Sequence, residues 1–183
     1  MEKYELRSHP AYPPREVRAI TASLSVADPH WIKLRWRIEG ARSIVVPRLA
    51  GRKRADGLWQ TTCMELFLAA EIGAPGAYFE YNFSPSENWA AYEFAGYRDK
   101  AADLPLLRPP VIDWRGSGDL AIVDVALPRE PRAVLPWNFG LTAVIEEADG
   151  VKSFWAIAHP AGDAPDFHAP ACFAGRVGAP AGT

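Results

Sequence analysis

Leu58-Trp59-Gln60-Thr61-Thr62-Cys63-Met64-Glu65-Leu66-Phe67-Leu68-Ala69, followed closely by Tyr78-Phe79-Glu80-Tyr81-Asn82-Phe83, decides the fold class. In the first stretch Met64, Leu66 and Leu68 share one face, while Cys63, Glu65 and Phe67 share the other. In the second, Phe79, Tyr81 and Phe83 share a face and Glu80 and Asn82 lie opposite. A period of two with aromatic and branched side chains is strand writing. Gly73-Ala74-Pro75-Gly76 is the turn between the two, and Ser84-Pro85-Ser86-Glu87-Asn88 returns Trp89 to Tyr97 as the partner of a hairpin.

The same pattern extends outward in both directions. Upstream, Arg18 to Val26 alternates, and Trp31 to Glu39 sets Ile32, Leu34, Trp36 and Ile38 against Lys33, Arg35 and Arg37. Ser43 to Leu49 reads as a further strand, ended by Gly51-Arg52-Lys53-Arg54 and an Asp56-Gly57 turn. Downstream, Leu120 to Leu127 and Leu141 to Glu147 are strands, and Asp149-Gly150 turns the chain into Lys152 to Ala158. Arg98 to Pro110 is the least regular stretch, and no segment sustains a helical period with caps, so helix is a minor element. Seventeen Pro and 14 Gly punctuate the chain without dividing it. Seven to nine strands at turn-bounded spacing predict an all-β fold, an antiparallel sandwich in a single domain over residues 1–183. Its core is expected to hold Leu34, Trp36, Met64, Leu66, Phe79, Tyr81, Val123 and Val125.

Composition bounds the partners. At 183 residues, 49% hydrophobic and 23% charged, the chain is an ordinary globular domain. Twenty Lys+Arg against 22 Asp+Glu, a formal net charge of -2, offer no basic field for nucleic acid. No stretch is apolar and long enough to span a bilayer, and Met1 to Leu6 lacks the build of a secretory signal, so a cytoplasmic location is expected. Cys63 and Cys172 form no CxxC pair and are expected as reduced thiols.

Three groups of residues offer chemistry. Among seven Trp, Trp36 falls with core positions, whereas Trp59 and Trp89 lie at strand ends, where an indole can line the mouth of a sandwich. Glu65, Glu80 and Glu93 lie on three strands and, with Asn82 and Arg35 or Arg37, would form a polar patch if those strands are neighbours. Strands are about 4.8 Å apart, so two of the carboxylates reach the spacing of a glycosidase pair. The same residues equally serve a solvated sheet face with cross-strand Arg–Glu pairs. The run His159-Pro160-Ala161-Gly162-Asp163-Ala164-Pro165-Asp166-Phe167-His168 gathers imidazoles and carboxylates in one loop. We expect it to close one end of the sandwich rather than hold a metal: Phe167 is an apolar anchor, and Asp166 and His168 satisfy backbone groups. No GxSxG, Walker or dinucleotide fingerprint occurs.

The blocks Trp59 to Leu68, Tyr78 to Ser86, Trp89-Ala90-Ala91-Tyr92, Gly96-Tyr97-Arg98, Phe154 to Pro160 and Pro165-Asp166-Phe167-His168 resemble the bacterial DOMON-like group related to family 9 carbohydrate-binding modules. The resemblance spans about residues 18–177 and implies a jelly-roll-like sandwich. Relatives of this kind bind sugars or haem. The sugar-binding ones hold a terminal sugar between Trp rings with charged groups on its hydroxyls, roles for which Trp59, Trp89, Glu65, Glu80, Asn82 and Arg98 are the matching choices. The haem-binding ones use a Met and a His, here Met64 and His159. The resulting expectation is a non-catalytic domain binding a small carbohydrate or similar polar ligand, without a cofactor. The alternatives are a glycoside-active enzyme using a carboxylate pair and a haem-binding domain.

Overall fold

The computed structural model describes residues 2–70 and 75–178. Among these residues twelve strands run in chain order: β1 Glu2–Ser8, β2 Ala19–Ser25, β3 Trp31–Glu39, β4 Cys63–Ala70, β5 Tyr78–Phe83, β6 Trp89–Gly96, β7 Asp99–Asp103, β8 Val111–Ser117, β9 Leu120–Pro128, β10 Trp137–Glu146, β11 Lys152–Ala156 and β12 Gly175–Val177. The strand ladders are antiparallel, and among the described residues the helical pieces are three-residue 3-10 turns, such as Leu58–Gln60. The start of the Gly73–Gly76 turn lies outside the described residues.

One ladder order, β7-β6-β5-β4-β10-β11-β1-β2-β3-β9-β8, folds over itself as two packed layers. Strand β1 makes the corner: Glu2 to Leu6 pair with β2, and Arg7 and Ser8 pair with β11. The alternation dictates what meets between the layers. Met64, Leu66, Phe83 and Leu141 from one sheet join Leu34, Trp36, Val123 and Val125 from the other in one buried cluster, with Trp36 and Phe83 rings 6.3 Å apart. The result is a jelly-roll-like β-sandwich with all eight expected core residues inside it.

Four strands are additions to the sequence-based reading. β1 alternates only Tyr4 and Leu6 among charges, β7 is wholly exposed, β8 is an edge strand, and β12 is three residues long. Their ladder bonds, more than a buried apolar face, define them, and that leaves little trace in hydropathy. Conversely, Ser43 to Leu49 is not a strand. It begins in a 3-10 turn at Ala41–Ser43, makes a single bridge from Ile44 to Glu147, and then Pro47 removes the donor that a ladder needs. Val45, Val46 and Leu49 are exposed.

The two outer faces differ. On the β3–β9 sheet, Arg35 and Arg115 both pair with half-buried Asp124, and Arg37 pairs with Glu39. This is a solvated face of ion pairs across strands and, for Arg37 and Glu39, along β3, and it excludes Arg35 and Arg37 from the carboxylate patch. On the β4–β5–β6–β10–β11 sheet, a second buried cluster forms around Phe67, Tyr78, Phe94, Val144 and Phe167. The loop from His159 onward lies over that face rather than at the end of the sandwich. Gly140 of β10 admits it: a Cβ there would stand 2.9 Å from the Cys172 carbonyl oxygen.

Candidate functional site

Pairing across the second sheet brings polar residues together on its outer face. Glu65 opposes Asn82 of β5 and Thr142 of β10, and Glu80 opposes Phe67 of β4 and Tyr92 of β6. Because directly paired residues share a face, the row Thr142, Glu65, Asn82 and the row Phe67, Glu80, Tyr92 lie side by side. Glu65 is 3% and Glu80 6% exposed. These carboxyl groups are therefore buried, contrary to the solvated-face reading, because two loops cover the sheet around them.

The first covering segment contains Asp56, Gly57, Trp59 and Gln60. Its approach is fixed by backbone bonds from Ala55 N–H to Trp89 O and from Trp89 N–H to Lys53 O. The second is the His159–His168 loop, with Phe167 buried against the sheet. Between them a cavity of about 860 Å³ has the two glutamates on its floor and Trp59, Tyr92, Phe94 and Phe154 among its walls.

Hydrogen bonds fix the floor. Thr142 Oγ1 donates to Glu65 at 3.0 Å, and Asn82 Nδ2 donates to Glu80 at 2.8 Å. Asn82 Oδ1 is buried without a partner. Burial raises the Glu65 carboxyl, and the neighbouring Glu80 charge raises it further, pushing it up to about 8 against the Thr142 bond. Burial raises Glu80 too, but Asn82, Lys100 and Arg98 favour its ionised form, so Glu80 is the first of the pair to lose its proton.

The loop side is a relay. Arg98 N–H donates to Tyr78 Oη at 3.2 Å, and the same oxygen is hydrogen-bonded to His168 Nδ1 at 2.7 Å. The other ring nitrogen, Nε2, stands 3.7 Å from Glu80, beyond hydrogen-bond reach. Burial, helped by the Arg98 charge, holds His168 neutral, lowered to about 4. Asp166 accepts from Tyr97 Oη at 2.6 Å and from Arg98 at 2.8 Å. Burial alone would raise it, but these bonds hold it below the usual carboxylate range. It also accepts from the His168 N–H, the backbone role foreseen for it. Across the cavity, Tyr92 Oη donates to Asp56 at 2.6 Å, and the Lys100 ammonium stands 4.5 Å from the Tyr92 ring centroid.

Of the residues singled out by sequence, Trp59, Glu65, Glu80 and Arg98 line the cavity, and Asn82 braces Glu80 beneath it. Trp59 is 52% exposed at its rim. Trp89 is not at a mouth. It opposes Phe83 and is packed into the core between the sheets, 8% exposed, because its strand parity matches Phe83 rather than Glu80. Glu93 likewise opposes Phe79, off the cavity face, and pairs with Arg132 at 2.9 Å. The Met64 and His159 pairing has no shared site. Met64 is in the core on the opposite face of β4, and His159 Nε2 bonds the Arg7 carbonyl at 2.8 Å. Among the described residues no group of three or more His, Cys, Asp or Glu is placed to hold a metal ion. Cys63 and Cys172 are buried free thiols.

Sequence reasoning missed Phe67, Tyr78, Tyr92, Phe94, Thr142 and His168 as members of this site. For Tyr78, Tyr92 and Phe94 the signal was present: once Glu80 is placed on the outer face, hairpin pairing puts all three beside it. Thr142 required knowing that β10 neighbours β4, a long-range pairing that local pattern does not encode.

No family model matches the chain, and no curated protein matches it in sequence. Solved structures do resemble it in fold. A candidate carbohydrate-binding protein from Bacteroides uniformis matches with a TM-score of 0.64 at 13% identity, covering 94% of this chain and 84% of its own. A family 9 carbohydrate-binding module from Caldicellulosiruptor kristjanssonii in complex with glucose matches with a TM-score of 0.55 at 10% identity, covering 93% and 81%. A module of the same family and organism in complex with cellotriose matches with a TM-score of 0.55 at 12% identity, covering 88% and 75%. The chain thus shares the fold of family 9 carbohydrate-binding modules.

Proposed function

We propose that the chain is a non-catalytic binding domain for a small carbohydrate or similar polar ligand, held in the cavity over Glu65 and Glu80. The observation that carries this reading is the combination, in one cavity of about 860 Å³, of aromatic walls with buried, hydrogen-bonded polar groups on the floor. Ring faces match the apolar faces of a pyranose, and the carboxyl groups and Arg98 match its hydroxyls. The fold shared with modules solved in complex with glucose and cellotriose supports it. The DOMON-like group, related to those modules, is the narrower family reading, and it rests on the sequence blocks around Trp59 to Leu68 and Tyr78 to Ser86.

Titration calorimetry against a panel of mono- and disaccharides tests this. Binding that weakens in Trp59→Ala is expected, and silence across the panel overturns the reading. One observation favours a second function. The Glu65 and Glu80 carboxyl groups are buried together and lose their protons unequally, the condition for an acid/base pair acting on a glycoside. Turnover of chromogenic glycosides that is abolished by Glu80→Gln would promote the enzyme over the binding domain.

A further inference from the structure

The cavity's charges are unevenly matched. Each cation around it has an aspartate partner: Arg98 pairs with Asp166, Arg54 with Asp56 and Asp103, and Lys100 with Asp103 at 2.6 Å. Among the described residues, Glu65 and Glu80 have no Lys or Arg partner, and the imidazole nearest Glu80 is neutral. Two carboxyl groups therefore lie at the bottom of a cavity of mixed aromatic and polar lining with no basic side chain paired to them. Beneath the floor, the fully buried Asn82 Oδ1 also has no hydrogen-bond partner. Without a guest, Glu65 meets the cost of burial by keeping its proton; a guest that brings positive charge and donors would meet it instead. The walls favour the same guest. Lys100 and Arg54 already stand against the Tyr92 ring, so this aromatic surface tolerates cations at its faces.

We propose that the cavity selects an amino sugar, its protonated amine seated between the Glu65 and Glu80 carboxyl groups and its ring against the aromatic walls. This rests on the carbohydrate reading above and narrows it to one ligand class. The ammonium supplies three donors, more than enough for one oxygen of each glutamate. A neutral hydroxyl at that position supplies one donor and no charge. An N-acetyl group removes the charge and adds bulk. Seating the cation also turns Glu65 from a proton holder into an ion. The groups surrounding that change are Glu80 from β5, Thr142 from β10 and Cys63 on its own strand, with Arg98, Lys100, His168 and Asp56 around the cavity.

The test is calorimetry on the whole chain at pH 6.5, in phosphate and in MOPS, with glucosamine, glucose, N-acetylglucosamine and cyclohexylamine. Glucosamine is expected to bind at least about tenfold more tightly than glucose or N-acetylglucosamine, as a charge-assisted contact should. It is also expected to release up to one proton, seen as a heat that differs between the two buffers. Both effects are expected to fall away in Glu80→Gln, and the proton release in Glu65→Gln. If Glu80→Gln does not fold, the buffer comparison on the unaltered chain still decides. Glucose or N-acetylglucosamine binding as tightly as glucosamine overturns the amine assignment and leaves the carbohydrate reading standing. Cyclohexylamine binding alone, or no binding by any of the four, overturns both. A glucosamine preference without proton release, unchanged in both variants, places the amine elsewhere and overturns the assignment.

Discussion

Replacing Glu65 by Gln should make the protein more stable at neutral and mildly alkaline pH, and the pH dependence of that gain is the informative part. Glu65 holds its proton in the folded state up to about 8, while an unfolded glutamate loses it near 4.5. Between those values the native state binds one more proton than the unfolded state, so stability is full at low pH and falls as pH rises. Each pH unit across the window costs about 1.4 kcal/mol at the limit of one whole proton. His168 acts with the opposite sign but in a different range. Its folded value is lowered to about 4, so its contribution changes only below its ordinary value of 6.5. His159 is lowered as well, and because both histidines are common to wild type and variant, the difference between the two proteins from pH 6.5 to 8 isolates the carboxyl pair. Across that interval the wild type should lose up to about 2 kcal/mol that Glu65→Gln keeps. Gln preserves an acceptor for Thr142, and its amide faces Asn82, whose Oδ1 has no partner, across the β4–β5 register. Urea melts at half-unit pH intervals measure the two slopes. Parallel slopes for wild type and variant between pH 6.5 and 8 would refute the buried, protonated Glu65 on which the site chemistry stands.

Three further perturbations follow from individual contacts. Glu147 is fully buried and its carboxylate collects the backbone N–H groups of Arg15, Glu16 and Val17 and the Ser43 hydroxyl, so Glu147→Ala leaves these donors unpaired and should cost about 3 kcal/mol in a denaturant melt. Tyr78→Phe removes the link between Arg98 N–H and His168, with an expected loss of about 1 kcal/mol and weaker saccharide binding by calorimetry. Trp59→Ala at the exposed rim should move the melting midpoint little, within about 0.5 kcal/mol, while weakening ligand binding; a large stability loss would show that the ring serves packing instead.

How far the sequence speaks here depends on the kind of contact. Where one face of a strand meets the core, alternation fixes both element and orientation, and β3 is recovered residue for residue from Trp31 to Glu39. Where a strand is held by ladder bonds at an edge, as β7 is, its five exposed residues carry no such signal. Trp89 shows a finer limit. Its position beside a turn suggested a rim residue, but parity relative to Phe83 governs where an indole points, and parity could be read only after the hairpin register was known. Glu65 and Glu80 illustrate the converse. Their shared face was legible, but their burial was not, because it comes from the irregular segments 56–60 and 159–168, whose path back over the sheet no local periodicity encodes.

That covering is what turns one of two chemically similar sheet faces into a site. On the β3–β9 face Asp124 accepts from two arginines and stays in water, where such pairs contribute little and ask for no ligand. On the β4–β5 face the same kind of acidic residue is roofed by Trp59 and Phe167, its dielectric surroundings change, and nearby bases are held by other aspartates. Gly140 makes the roof possible, since any side chain there meets the Cys172 carbonyl and the Phe173 ring. A bulky residue at position 140 would lift the second loop, let water reach Glu65 and Glu80, and turn this face into the other one. The site is therefore a property of the two loops acting on a preformed polar row, and its ligand preference follows from what those loops leave unpaired.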